Sequence, residues 1–332
     1  MQYKNCKTRH NSIYKSFILL ITLSLVLISS ACTASLGASD GISHETGSLD
    51  SGSWNNASQQ TSNTVSPENN SATEAESSGK VTGQLKVHFL DVGQADCILL
   101  QNGSSAMLID AGNNADGKFI IDYIKKLKIK KLDYVIGTHP HEDHIGSLDK
   151  VISTFNIGKV LMPKVTASTH SFEDVIRTIK SKGLKITTPV AGSEFQFGDC
   201  KCSILAPNSS SYEDINNYSI VLMVSFGKTS FLFTGDAENI SEDQILAGKY
   251  DLKADVLKVG HHGSNSSSSA RFLKAVSPEY AIISVGKDND FGHPSSKTLK
   301  RLASADVKVY RTDKDGTIVV TSDGSTITDI TR

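Results

Sequence analysis

The chain has 332 residues, 38% hydrophobic and 21% charged, a globular composition whose length allows one large domain or two ordinary ones. Its formal net charge is −1. Lys4, Lys7, Arg9, Lys15 and Lys80 are the basic residues upstream of Val81, so the rest of the chain is neutral, with 29 basic and 29 acidic residues. A neutral domain excludes the broad electrostatic footprint of a nucleic-acid binder and leaves only a local basic groove. The five cysteines, Cys6, Cys32, Cys97, Cys200 and Cys202, include no CxxC pair and form no disulfide framework. The fold must rest on its core.

Four basic residues precede the apolar run from Phe17 to Ile28, which ends in Ser29-Ser30-Ala31-Cys32. A basic start, a short apolar stretch and small residues make a secretory signal over residues 1–32. The stretch is short for a spanning helix. Small residues followed at once by Cys32 resemble a bacterial lipobox, with Cys32 as the acylated mature N-terminus, although Ser29 stands where such signals carry Leu. Residues 33–80 are rich in Ser, Thr and Asn and nearly lack large apolar side chains. Such a segment cannot bury enough surface to offset its ordering entropy, and it is expected to be a disordered tether. The chain is therefore expected outside the cytoplasm, anchored to the membrane by lipid or, alternatively, secreted.

From residue 81 to 332, one α/β domain is predicted. Strands are predicted at Gln84–Leu90, Cys97–Gln101 and Ala106–Asp110, followed by a helix at Lys118–Leu127 with apolar residues at helical spacing. Leu132–Thr138 is a buried-type strand leading into a His-rich loop. Further strands are predicted at Lys159–Met162, Cys202–Leu205, Ile220–Ser225, Ser230–Thr234, Ala254–Val259, Tyr280–Val285, Val307–Tyr310 and Thr317–Thr321. Helices are predicted at Ser171–Lys182, Ser241–Gly248, Ser269–Val276 and Ser296–Ala303. Cys200 and Cys202, two apart in a strand, face the same way.

Three clusters hold six of the ten histidines. The first is Thr138-His139-Pro140-His141-Glu142-Asp143-His144, directly after a hydrophobic strand. Three imidazoles and a carboxylate this close pack poorly unless they bind something, and their N and O donors suit zinc or, as the harder alternative, manganese. The second cluster is Gly235-Asp236 after Phe231-Leu232-Phe233, and the third is Gly260-His261-His262-Gly263-Ser264 with Gly292-His293-Pro294 beyond it. A strand followed by Gly-Asp is usually an ordinary turn. Repetition at successive strand ends, where α/β folds gather ligands, argues for a site. His88, His170 and the lysine run from Lys125 to Lys131 carry no such signal.

The order Asp110, His139-x-His141-x-Asp143-His144, Asp236 and His293 resembles the metallo-β-lactamase superfamily. Phe89–Asp96, Asn217–Leu222 and Gly260–Ser264 with Gly292–Pro294 are similar to the branch that contains the hydrolase domain of ComEC-type DNA-uptake proteins and phosphorylcholine esterase. The resemblance implies an αββα sandwich holding two divalent ions at one edge. It assigns His139, His141 and a third histidine to one ion, the third being His262 with His261 as the alternative. Asp143, His144 and His293 fall to the other, with Asp236 bridging and Asp110 orienting a histidine ligand.

Two ions about 3.5–4 Å apart can share a hydroxide and stabilise both oxygens of an in-line displacement at phosphorus. The catalytic candidates are thus Asp236, His261 and Asp110, His261 as a donor to substrate or leaving group. Asn217, Ser219, Ser264 and Gln94 are expected near substrate. The resemblance implies a phosphodiester substrate, either DNA or nucleotide or a cell-wall polymer, and no protein partner is identifiable. The alternatives are a tethered, non-catalytic binding module of the same fold, or a lactamase-like hydrolase of another ester or amide.

Overall fold

A computed structural model describes residues 81–332. The signal sequence, Cys32 and the tether expected over residues 1–80 lie outside the described residues. Strands and helices alternate through two successive halves. The first half runs β1 (Leu85–Phe89), β2 (Ile98–Asn102), β3 (Ser105–Ile109), α1 (Gly117–Lys126), β4 (Lys131–Ile136), α2 (Glu142–Ile145), α3 (Leu148–Thr154), β5 (Asn156–Leu161), α4 (His170–Ser181) and β6 (Ile186–Thr187). The second runs β7 (Glu194–Phe197), β8 (Cys200–Ala206), β9 (Val221–Phe226), β10 (Thr229–Phe233), α5 (Asn239–Ala247), β11 (Val256–Lys258), α6 (Ala270–Val276), β12 (Tyr280–Ile283), α7 (Ser296–Ser304), β13 (Lys308–Arg311) and α8 (Thr312–Asp315). Two last strands, β14 (Ile318–Ser322) and β15 (Ile327–Thr331), return to the first sheet.

That sheet has eight strands in the order β15-β14-β1-β2-β3-β4-β5-β6, and the other has seven in the order β13-β12-β11-β10-β9-β8-β7. Strand periodicity sends alternate side chains to opposite faces. Val87, Phe89, Leu100 and Ile109 from one sheet therefore meet Ile204, Leu222, Phe231 and Phe233 from the other in a shared core. Burying a side chain such as Phe231 stabilises by about 1.5–3 kcal/mol. Outside the first sheet, Leu99, Leu108 and Val135 pack on Ile120 and Ile124 of α1, Val151 of α3 and Val175 of α4. Outside the second, Leu232, Leu257 and Ala281 pack on Ile245, Phe272 and Leu302 of α5, α6 and α7. The layers are helix, sheet, sheet, helix, the αββα sandwich expected.

Three helix starts are capped as their sequences dictate. Thr169, Ser269 and Ser295 accept hydrogen bonds from the backbone N–H of Phe172, Phe272 and Thr298, each cap contributing roughly 1 kcal/mol. Cys200 and Cys202 both point into the core and are free thiols. Helices α2, α3 and α8 and strands β6, β7 and β15 have no counterpart among the predicted elements. Leu148, Val151 and Ile152 do carry helical spacing, but the run is only seven residues long. Strand β15 lies at the sheet margin, where Ile327 and Ile330 are only partly buried and its pattern is weak. Among the described residues, no helix is long and apolar enough to cross a membrane.

Candidate metal centre

Strands β3 and β4 run parallel, as do β10, β11 and β12, so their C-terminal ends collect at one edge of the sandwich. Asp110 follows β3, and Thr138 to His141 join β4 to α2, which carries Asp143 and His144. Asp236 follows β10, His261 and His262 follow β11, and His293 lies between β12 and α7. The turns are sharp. Asp110, His261 and His262 take φ values of 58°, 50° and 51°, a left-handed backbone that costs a non-glycine residue on the order of 1–3 kcal/mol. Neighbouring contacts hold it in place: His261 N–H donates to Gly235 O at 3.1 Å, and Ser295 N–H to Gly263 O at 2.9 Å. At Gly263, a Cβ would lie 2.5 Å from Pro294 Cβ, so only glycine lets the two loops meet.

Asp110 is fully buried and organises the deepest part of the site. Its Oδ1 accepts from Thr138 N–H at 2.8 Å and its Oδ2 from Thr138 Oγ1 at 2.7 Å. His144 Nδ1 lies 2.8 Å from the same Oδ2 and must donate to it. A proton is thereby fixed on Nδ1, and Nε2 is the nitrogen left to meet a cation. His144 Nε2 sits 3.2 Å from Asp236 Oδ1 and 3.8 Å from Asp143 Oδ2. His262 Nδ1 donates to the Ser284 carbonyl at 3.0 Å, and its Nε2 lies 3.1 Å from Asp143 Oδ2 and 3.6 Å from Asp236 Oδ2. Donor atoms of Asp143, His144, Asp236 and His262 all fall within 4.8 Å of one another.

These residues fit a divalent cation. His144 Nε2 and Asp236 Oδ1 are both buried and neither has a hydrogen-bond partner, whereas buried polar atoms are nearly always satisfied. A ring nitrogen and a carboxylate oxygen this close repel unless a proton or a metal ion lies between them. The local field points the same way. Burial opposes a charged His144, but Asp236, Asp110 and Asp143 outweigh it and hold its pKa well above the ordinary histidine value. At His262 burial is likewise overcome by Asp236, Asp143 and Asp96, and the pKa is pushed up to about 10. His139 is held well below the ordinary value, first by burial and then by His144.

His139 Nε2 and His141 Nδ1 lie 3.0 Å apart, and the His139 and His144 ring centroids are 4.1 Å apart. His139 Nδ1 has Thr138 Oγ1 at 3.2 Å and Ser219 Oγ at 3.3 Å. The resemblance implied His262 as the third histidine beside His139 and His141. The left-handed turn instead aims its Nε2 at Asp143 and Asp236, within the His144 group. His261 stands at the rim, with Nε2 3.6 Å from Asp236 Oδ2 and Nδ1 3.3 Å from Glu238 Oε1. The half-buried His293 stacks edge-on to His261 at 5.5 Å, and its Nδ1 is buried without a hydrogen bond.

The four residues expected near substrate occupy bracing positions. Ser219 is fully buried and accepts from Asp236 N–H at 3.0 Å. Asn217, also fully buried, accepts through Oδ1 from Glu238 N–H at 3.2 Å and Ser241 N–H at 3.3 Å, tying its turn to the start of α5. Gln94 Oε1 accepts from Gly286 N–H at 3.0 Å, and Ser264 pairs with Ser266 at 3.0 Å. Two participants went unassigned in the sequence, Glu238 beside His261 and Lys258 in β11. A lysine inside the apolar run Val256-Leu257-Lys258-Val259 was the available signal for the second. His170 is exposed and lies apart on α4.

The metallo-beta-lactamase superfamily model matches residues 90–287, a span that contains every residue of the centre except His293. ComE operon protein 3 of Bacillus subtilis (strain 168) is 32% identical over 251 residues, covering 70% of this chain and 32% of that protein. Competence protein ComA of Neisseria gonorrhoeae is 32% identical over 231 residues, covering 69% of this chain and 31% of that protein. The chain thus spans about a third of the length of these relatives. Among solved structures, the metallo-beta-lactamase fold protein YhfI from Bacillus subtilis superposes with a TM-score of 0.50 at 14% identity, over 73% of this chain and all of that one. Fold, site and family match agree: the chain belongs to the metallo-beta-lactamase superfamily, as a metal-dependent hydrolase of that fold with a candidate metal-binding site.

Proposed function

We propose that this protein is an extracytoplasmic phosphodiesterase working with two divalent ions, zinc or manganese. The observation that carries the reading is the buried, unpartnered facing of His144 Nε2 and Asp236 Oδ1 inside a four-residue donor set. Asp143, His144 and His262 would hold one ion and His139 and His141 the other, with Asp236 between them and His293 reaching in from the rim. Bound there, divalent ions supply Lewis acidity toward a phosphoryl oxygen and lower the pKa of water toward neutrality.

The chain's own residues do the rest. Asp110 fixes the His144 tautomer through Oδ2, and Ser219 holds the Asp236 backbone. His261, with Nδ1 turned to Glu238, presents Nε2 at the rim, where a proton can pass to a departing oxygen. Lys274 on α6 and Lys300 and Arg301 on α7 line one groove between the helices that follow the two histidine loops, a local basic feature that would suit a polyanion. Relatives named as competence and recombination proteins favour DNA among such polyanions, and a cell-wall phosphodiester polymer is the competing substrate. The basic start, apolar run and Cys32 support lipid anchoring outside the cytoplasm, with residues 33–80 as tether.

The test loads the full chain with zinc or manganese and measures hydrolysis of bis-p-nitrophenyl phosphate beside Asp236→Ala. Two ions per chain, and turnover that disappears in the variant, are expected. A wild-type chain that stays metal-free and inactive would leave a tethered binding module.

A further inference from the structure

Among the described residues, Lys258 is the one lysine or arginine that is buried, at 1% exposure. Its Nζ donates to Asp96 Oδ2 at 2.7 Å and to the Val259 carbonyl at 3.0 Å, and Asp96 is equally buried. The pair spans the two layers, since Lys258 ends β11 of one sheet and Asp96 sits in the loop between β1 and β2 of the other. Removing two charges from water costs several kcal/mol per ion, and a well-packed apolar pair of similar volume often does as well or better. Stability alone therefore gives no reason to keep this pair.

Its surroundings supply one. Asp96 Oδ1, the oxygen not used by Lys258, is buried without a hydrogen bond and lies 3.4 Å from His262 Nδ1. Nδ1 thus faces two acceptors, Asp96 Oδ1 and the Ser284 carbonyl at 3.0 Å. Both require a proton on Nδ1, so Nε2, which meets Asp143 Oδ2 at 3.1 Å, is the nitrogen whose proton a metal ion would displace. The backbone of Asp96 is tied into the same group: its N–H donates to Asp143 O at 3.0 Å, and its carbonyl accepts from Gly112 N–H at 2.9 Å. Stripped of Lys258, Asp96 would be a further bare carboxylate behind Asp110, Asp143 and Asp236.

We propose that the Lys258–Asp96 ion pair is a positioning device for the metal centre. Lys258 neutralises and anchors Asp96, and Asp96 sets a carboxylate oxygen behind Nδ1, beside the Ser284 carbonyl that accepts from it, so that the proton on Nδ1 is kept and Nε2 is the nitrogen offered to an ion between Asp143 and Asp236. The inference rests on the metal reading of the site and is independent of which ester is cleaved.

The experiment compares wild type, Asp96→Asn, Lys258→Met and the double variant, all as the full chain. Cobalt(II) is titrated against a chelator, the visible spectrum of the bound ion is recorded, and thermal midpoints are taken on metal-stripped protein. Each single variant is expected to weaken binding of one of the two ions about 10- to 100-fold and to alter its spectrum. The double variant, with both charges gone, should regain the midpoint of the stripped wild type yet keep the weakened cobalt binding. Recovery of both in the double variant would reduce the pair to packing and overturn the proposal, as would wild-type cobalt affinity in all of them. Should Lys258→Met fail to fold, the near-isosteric Asp96→Asn decides on affinity and spectrum alone. A wild-type chain that takes up no cobalt overturns the metal reading itself, whereas two bound ions unaffected by the variants overturn only this inference.

Discussion

Two buried histidines, one on the outer side of the first sheet and one at the metal edge, are treated in opposite ways by the same fold. His88 has both ring nitrogens satisfied, by Tyr123 Oη at 2.9 Å and Gln101 Oε1 at 3.0 Å. No carboxylate faces it, and burial lowers its pKa to about 4. His144 has one nitrogen satisfied by Asp110 and the other aimed at Asp236 with no hydrogen-bond partner. Burial is common to both. A nitrogen left unmet among carboxylates separates a binding group from a packing group.

The contrast breaks most severely at His144 itself. His144→Ala should remove one ion per chain, read by elemental analysis, and cut turnover about 1000-fold or more, because an ion supplies several kcal/mol of transition-state stabilisation. The same deletion at His88 should leave metal content untouched.

His88 sharpens the comparison through pH. Its folded pKa lies below the ordinary value of 6.5. The native state therefore prefers the neutral ring, and the associated stability is present above pH 6.5 and lost as the pH falls toward 4. The loss should be on the order of 3 kcal/mol. Urea midpoints at pH 7 and 4.5 should converge more closely in His88→Gln than in wild type.

Asp110→Asn keeps the shape of the brace but weakens the acceptor for His144 Nδ1. Metal affinity should fall about 10- to 100-fold, measured by chelator competition, with little change in the midpoint of stripped protein. His293→Ala should have the smallest effect, under about tenfold in affinity on the same scale, because its ring is half-buried and has no carboxylate brace. A loss at His293 equal to that at Asp110 would erase the distinction between rim and centre.

Much of this was readable from residue order. The short strands, the helices at 118–127 and 171–182 and the ligand-bearing loops all follow from apolar spacing and from histidines placed at strand ends. Asp110 was legible only through the resemblance to the metallo-β-lactamase superfamily, since a carboxylate at a strand end has no signal of its own. Grouping was not legible, since which histidine serves which partners depends on the left-handed turn at 261 and 262 and not on spacing. Nor could polarity tell a substrate contact from a brace. Ser219 and Asn217 look the same in sequence whether they face solvent or, as here, hold Asp236 and α5 from inside. Lys258 stood out as a lysine in an apolar run, but its partner was hidden, because Asp96 lies in a loop of the opposite layer, far away in the chain.

The paired left-handed residues at 261 and 262 also bear on how this protein can be improved. A glycine adopts that backbone without steric penalty, so His261→Gly relaxes the loop while deleting a rim imidazole. Selection for thermal tolerance alone would accept such a change, and with His261 as the proposed proton donor, selection for turnover would reject it. Engineering this loop therefore sets the two goals against each other at a single codon.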